Sequence, residues 1–548
     1  MTRTLYSFRK TMFARFGLGI CLCLGSTGVL WAEQVRIDSG LLAGESLDGP
    51  DSQIQVYRGI PYAAPPVEAL RWKAPERPAA WSSVRDATAF GAQCPQSARP
   101  QARGEPPKMG EDCLSLNVWT RAHSGSDARR PVMVWIHGGG LSLGSADQQI
   151  PPMLSGGDKP RVLTDGMAFA RRDIVLVTIN YRLGALGFLA HRALSKESPR
   201  GVSGNYGFLD QVAALEWVQR NISAFGGDPD NVTIFGESAG ATSVHALIAS
   251  PLARGLFHRA ISESAWITPD NSTYLSRSTP FQSSAEAMGH EWAAGIVGAN
   301  AADNLHALRA APAEQLLGTT TWFKPVMTVD GWFLPAIAEH TMTRGQHNQV
   351  PLMVGTNQDE GAMFMRGPRF AFKNLDQLRA GLKGFFAGAE SINEVYPAQA
   401  NTEIPATINQ FITDVWFLRA SRAMLRAAAS SGAPTYQYHF TRRSPQMPAW
   451  GAHHGMEISY VFDNLGKQAP IVDKELAAAM IGYWAQFARS GNPNGGGRPD
   501  WLPWSNERGA YLELGDRIQP GYDLGKRRGD QLDLIIANAW SSDRVSSG

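Results

Sequence analysis

The stretch Thr233-Ile-Phe-Gly-Glu-Ser238-Ala-Gly240 restricts this 548-residue chain more than any other. An apolar run ends abruptly at a serine with glycine two residues before it and two after. A nucleophilic serine at the tip of a sharp strand-to-helix turn is crowded on both sides, and glycine at those two places leaves room for it. The hydroxyl is then held clear of the backbone with a free amide just behind. The flanks agree: residues 232–235 read as a buried strand, and Ala241, Val244 and Ile248 continue one face of a helix.

Further apolar runs at 132–136, 174–179, 352–354 and 436–440 read as buried strands. Between them, Val212, Leu215, Val218 and Ile222 fall at helical spacing. Alternating strands and helices predict an α/β fold with a large, mostly parallel central sheet flanked by helices. Residues 35–56 read as a small antiparallel meander with turns at Gly44 and Asp48-Gly49. The Ala-rich region from about 269 to 347 reads as a helical cap inserted over the sheet. No repeat or low-complexity linker divides the chain, so residues 33–548 are expected to form a single domain.

The run 132–136 leads directly into His137-Gly138-Gly139-Gly140. Three glycines let backbone amides converge on a small anion. Acyl transfer needs this, because the ester carbonyl becomes an oxyanion, and losing one donor costs on the order of 3 kcal/mol of barrier. A serine nucleophile also needs a base, and the base an orienting acid. In this chemistry both follow the serine in the chain. Gly451-Ala-His-His-Gly-Met-Glu457 offers His453 and His454; Gly355-Thr-Asn-Gln-Asp-Glu360-Gly361 offers Asp359 and Glu360. The residues alone choose neither within each pair. His245 and His258 read as packing histidines, His245 because it lies two helical turns beyond Ser238. The adjacent His453-His454 pair is a poor metal site, and no cofactor or metal is expected.

Residues 1–32 carry four basic side chains and no acid, and a mostly apolar run, 16–30, follows Arg9, Lys10 and Arg15. That run is short for a membrane span, which needs roughly 20 residues. It is expected to be an export signal cleaved near Ala32. The whole chain has net charge +2. The loss of the four bases leaves the rest near neutrality, without a footprint for nucleic acid. No later segment is long and apolar enough to suggest stable membrane insertion. Export to the periplasm or medium leaves Cys94 and Cys113 as an even pair in an oxidising compartment, which predicts one disulfide. Its loop is rich in Pro, Gly, Arg and Gln; closure would limit its freedom by up to about 3 kcal/mol.

These stretches, with Tyr57-Arg-Gly-Ile-Pro-Tyr-Ala63, Glu111-Asp-Cys-Leu-Ser-Leu-Asn-Val118, Asn180-Tyr-Arg-Leu-Gly184, Gly204-Asn-Tyr-Gly-Phe-Leu-Asp-Gln211 and Gly491-Asn-Pro493, resemble the type-B carboxylesterases, which include cholinesterases and bacterial para-nitrobenzyl esterases. The ordered matches run from about residue 35 to 505. The resemblance implies an α/β-hydrolase fold with Ser238 as nucleophile, Glu360 as acid and His454 as base. It also implies an oxyanion hole from the amides of Gly139, Gly140 and Ala239, support from Ser264, and a Cys94–Cys113 link. The expected activity is cofactor-free hydrolysis of small-molecule carboxylic esters through an acyl-enzyme. A specialised hydrolase of bulky natural esters is the alternative. Some members of the family lack the serine and serve in adhesion; the complete set here argues against that.

Two departures accompany the resemblance. Cholinesterases carry a choline-facing tryptophan in the disulfide loop, but residues 95–112 contain no aromatic. The loop charges Arg99, Arg103, Lys108, Glu105, Glu111 and Asp112 read as solvated surface. Ala241 stands where many relatives have a third glycine. Trp266, Trp322 and Phe323 in the cap are candidates to line a pocket or to fill its core.

Overall fold

The computed structural model describes residues 31–97, 108–122, 128–150, 161–317, 323–386, 389–443 and 447–546. Residues 1–30 of the candidate signal segment, Trp322, Arg99, Arg103 and Glu105 lie outside them. The strands are β1 (Trp31–Ile37), β2 (Gly40–Ser46), β3 (Ile54–Pro61), β4 (Val84–Asp86), β5 (Ser115–Arg121), β6 (Arg130–Ile136), β7 (Gln149–Ile150), β8 (Arg161–Val162) and β9 (Val175–Ile179). After them come β10 (Gly227–Glu237), β11 (Arg259–Glu263), β12 (Ser272–Tyr274), β13 (Met327–Val329), β14 (Leu352–Asn357), β15 (Thr435–Phe440), β16 (Ala510–Leu514) and β17 (Ile518–Tyr522).

One 13-stranded sheet runs β1-β2-β3-β5-β9-β6-β10-β11-β14-β15-β16-β17, with β4 beside β2. Its middle, from β9 to β16, is parallel, and both margins are antiparallel except that β4 pairs in parallel with β2. Alternate residues of one strand enter opposite layers. Val132, Val134 and Ile136 join the apolar layer containing Val212, Leu215 and Val244; Met133 and Trp135 join the layer containing Met480 and Trp484. Helices α1 (Tyr206–Asn221) and α2 (Ala239–Ala249) cover the first face, and Ile471–Ser490 covers the second. A sheet buried on both faces explains why its central strands read as unbroken apolar runs.

The meander differs from expectation at one turn. The chain reverses at Asp38-Ser39, between β1 and β2, and Gly44 sits inside β2. A Cβ on Gly44 would come within 2.5 Å of the Tyr57 ring, so the glycine answers to close packing rather than to a turn. The region from 269 to 347 is less helical than expected: its helices are short and cover under half of its described residues, and it contains the small parallel ladder β12–β13. Its longest helix, α3 (Ala285–Val297), meets the body at Gly289, where a Cβ would lie 1.8 Å from Ala190 O.

Cys94 and Cys113 are disulfide-bonded. Of the nearby charges, Lys108 and Asp112 are exposed, but Glu111 is not a solvated surface group. It accepts from Nε of the buried Arg71 at 2.8 Å, and this guanidinium also donates to the carbonyls of Arg309 and Ala311. Glu111 compensates a buried cation, which needs a partner.

Candidate active site

Parallel register brings the separated motifs to one edge. Ile136 stands beside Gly236, Glu237 beside Glu263, and Glu263 beside Gly355. The loops after β6, β10, β11, β14 and β15 therefore emerge together at the carboxyl ends of adjacent strands, where α/β sheets bind ligands.

Ser238 lies between the end of β10 and the start of α2, with φ 56° and ψ −120°. Such a backbone is strained for a residue with a side chain and persists only where neighbours enforce it. The enforcing contact is the β6 end: a Cβ on Gly236 or Gly240 would lie 2.4 or 2.0 Å from Ile136 O. Gly139 and Gly140 have φ of 108° and 63°, which suits glycine. The amides of Gly139, Gly140 and Ala239 have no described acceptor within the protein.

The structure separates the ambiguous pairs. His454 Nδ1 hydrogen-bonds Glu360 Oε2 at 2.6 Å, both side chains buried. Glu360 is oriented by the Asn357 amide, which donates to Oε1 at 2.7 Å. Asp359 does something else. It accepts from the Ala452 amide at 3.0 Å and from Asn409 Nδ2 at 2.9 Å, pinning the histidine loop to the acid loop. His453 faces the Trp450 ring.

His454 Nε2 is directed to Glu237, 3.1 Å from Oε1, and neither atom has an aligned hydrogen-bond partner among the described residues. Ser238 directly follows Glu237 in the chain, and no hydrogen bond joins its hydroxyl to His454 Nε2. Glu237 belongs to the opening motif, yet sequence reasoning assigned it no part. A carboxylate at the end of an otherwise apolar strand was the available signal. It is one of four buried carboxyls: the charges of Glu237, Glu263 and Glu360 act on Glu457, and of the four Glu237 and Glu360 face the imidazole. Ser264, itself at φ 53°, donates to Glu457 Oε1 at 3.4 Å. Asn357 Nδ2 donates to the other oxygen of Glu457, and Trp484 Nε1 donates to Glu263 at 2.8 Å.

Burial raises the carboxyl pKa values of Glu237 to about 7 and of Glu263 to about 8, and lifts that of Glu457 well above the ordinary range. For His454, burial disfavours the cation, but the charges of Glu237 and Glu360 and the Glu360 hydrogen bond outweigh it and raise its pKa. A neutral imidazole held by a carboxylate at Nδ1 can take a proton at Nε2, and the same carboxylate stabilises the resulting cation.

Aromatic rings flank that imidazole. Phe417 and Phe364 lie 4.6 and 5.2 Å from His454, centroid to centroid. Trp416 packs on Phe364, and Trp266 on Trp416. Of the cap aromatics, Trp266 thus joins the group leading to the site, whereas Phe323 packs on Trp292 in the cap interior. His245 is buried, bonded to Ser262 Oγ at 3.1 Å, and borders a separate cavity of about 340 Å³ that none of Ser238, Glu360 and His454 lines. Among the described residues no helix is long and apolar enough to cross a membrane.

The Carboxylesterase family profile matches residues 32–529. The chain is 36% identical to fumonisin B1 esterase of Sphingopyxis macrogoltabida over 499 residues, 88% of this chain and 87% of that protein. It is 37% identical to para-nitrobenzyl esterase of Bacillus subtilis (strain 168) over 471 residues, 81% of this chain and 88% of the relative. A solved PNB esterase superposes with a TM-score of 0.73 at 33% identity, covering 90% of this chain and 99% of that one. The sheet, the disulfide and these likenesses agree: the chain belongs to the type-B carboxylesterase family and is a carboxylic ester hydrolase of the α/β-hydrolase fold.

Proposed function

We propose that ester hydrolysis proceeds through an acyl-enzyme on Ser238. The observation that carries this reading is the buried 2.6 Å bond between His454 and Glu360 beside a serine held in a strained strand-to-helix turn. The imidazole turns Nε2 from Glu237 to the adjacent Ser238 and accepts its proton as the hydroxyl attacks the ester carbonyl. Catalytic hydrogen bonds of this kind commonly tighten only when substrate binds. The amides of Gly139, Gly140 and Ala239 receive the oxyanion, and His454 then protonates the departing alcohol. Water, deprotonated by the same imidazole, cleaves the acyl-enzyme. Ser264 acts at a distance, holding Glu457 behind the histidine.

Ser238→Ala tests the nucleophile. Turnover of para-nitrophenyl butyrate should fall to background while circular dichroism stays unchanged; undiminished turnover in a folded variant would overturn the mechanism.

A second reading concerns substrate size. The identity to fumonisin B1 esterase, together with the aromatic group around His454, favours a bulky natural ester. Esters graded in acyl and alcohol size distinguish the two readings, since a general esterase should lose kcat/KM steadily with bulk. We further infer export to the periplasm or medium, a reading supported by the Cys94–Cys113 bond. N-terminal mass spectrometry of the secreted material should find the mature chain beginning near Glu33.

A further inference from the structure

Away from the active site, the close approach of α3 to the body creates an unassigned cluster. With no Cβ at Gly289, α3 reaches Ala190, and the residue that follows each of these two is a histidine. The rings of His191 and His290 stack 5.8 Å apart at 27°. Asp303 Oδ1 lies 3.7 Å from His191 Nε2 and 3.5 Å from His290 Nδ1. The three donor atoms all lie within 4.8 Å of one another. His191 is fully buried, and its Nε2, aimed at the other two residues, has no hydrogen-bond partner among the described residues. Glu286 stands one turn before His290 on the same face of α3, near enough for its charge to act on His191.

We propose that His191, His290 and Asp303 form a binding site for one divalent transition-metal ion, zinc by preference, with Glu286 or water completing the shell. Two imidazoles with carboxylate select zinc and its neighbours; calcium and magnesium favour all-oxygen shells. Tetrahedral zinc with bonds of about 2.0–2.1 Å spaces its ligand atoms roughly 3.4 Å apart. The observed 3.5 and 3.7 Å need only slight contraction. Burial lowers the His191 pKa, keeping the ring neutral as a ligand must be.

Loading the site needs one tautomeric shift. His191 Nδ1 accepts the Ala193 amide at 3.2 Å, which leaves the proton on Nε2. The metal takes the Nε2 lone pair, the proton moves through solvent to Nδ1, and this long cap contact is surrendered. The ion would clamp the cap helix to the body. His290 and Asp303 are exposed, so it can enter from solvent.

Chelator-treated full-length protein should be titrated with Co2+, whose visible d–d absorption reports imidazole ligation, and then with Zn2+ in a thermal melt. The wild type should bind one equivalent of Co2+ and melt higher with Zn2+. His290→Ala and Asp303→Asn alter exposed side chains outside the esterase machinery. Both should lose the absorption and the thermal shift while keeping para-nitrophenyl ester turnover, which certifies their folding. Absence of a stoichiometric Co2+ spectrum in the wild type, or the same spectrum and shift in both variants, would overturn the site.

Discussion

At the scale of single residues, a few charges set how the imidazole behaves. Under the proposed mechanism the acid limb of kcat/KM should follow deprotonation of His454, because only the neutral ring accepts the serine proton. Glu237 and Glu360 raise the His454 pKa against the effect of burial. Activity should therefore rise with pH through a midpoint above the ordinary histidine value of about 6.5. Glu237→Gln removes one of the two charges and should move that limb to lower pH, as read from a pH–rate profile on a para-nitrophenyl ester. An unmoved limb would show that Glu237 carries no charge where His454 titrates. The two histidines should also separate: His454→Ala should lose about 10⁴-fold or more in kcat, whereas His453→Ala should keep most activity. Of these residues, Ser238 was legible from its glycines. The choices of Glu360 and His454 rested on family resemblance, because Asp359 and Glu360 are equally acidic and only contacts with Ala452 and Asn409 distinguish them. Asn221, Asn231 and Asn271 each open an Asn-x-Ser/Thr glycosylation sequence, but two of the three are not offered to solvent. The Asn221 and Asn271 amides are buried and hydrogen-bonded internally.

At the scale of elements, the turn after β10 and an irregular helix govern placement. Gly240→Ala would push a Cβ against Ile136 O, with backbone on both sides and no side chain to yield. A shift of about 1 Å at Ser238 can cost about 10²-fold in kcat, and overpacking should lower stability by about 1–3 kcal/mol. Kinetics and a urea melt of that variant check both. The second device is a π-helical turn, Thr413–Leu418, between the helices Ile404–Ile412 and Arg419–Ser430. Its extra residue per turn lets one segment meet several parts of the site. Thr413 Oγ1 accepts from the Gly361 amide at 3.2 Å, Trp416 O accepts from Ile267 N at 3.0 Å, and Phe417 packs on His454. An aromatic face beside a developing imidazolium is worth about 1–2 kcal/mol. Phe417→Leu should thus reduce kcat by about tenfold with little change in KM; Phe417→Tyr should restore most of it. Nothing in residues 413–418 announces a π-turn, since a helix-period pattern admits one extra residue without losing its apolar face.

At the scale of the whole molecule, the parallel middle of the sheet makes the site possible, and buried polar contacts keep its loops in order. The loop after β9 is tied to α1 by Arg182, whose Nε and Nη2 donate to the two oxygens of Asp210 at 2.8 and 2.7 Å, both side chains buried. Asp210→Ala would leave the guanidinium buried without its counter-charge, a loss of about 3–5 kcal/mol; a chemical-denaturation midpoint should record it. Much of this architecture could be read from the chain. The strands at 132–136, 174–179, 352–354 and 436–440 all exist, because burial on both faces demands unbroken apolar runs. The sequence by itself determined that Ser238 sits on an elbow, that a glycine loop precedes it, and that an α/β sheet carries both. Local sterics and hydrophobic period act over a few residues, and so they are written in consecutive letters. Only the tertiary structure decided that Glu360 rather than Asp359 meets His454, that Glu237 competes for Nε2, and that His191 faces His290 and Asp303. Each of those outcomes joins residues far apart in the chain, or turns on which way one loop presents its side chains. Strand register and close backbone packing set such distances, and neither is encoded in any single stretch.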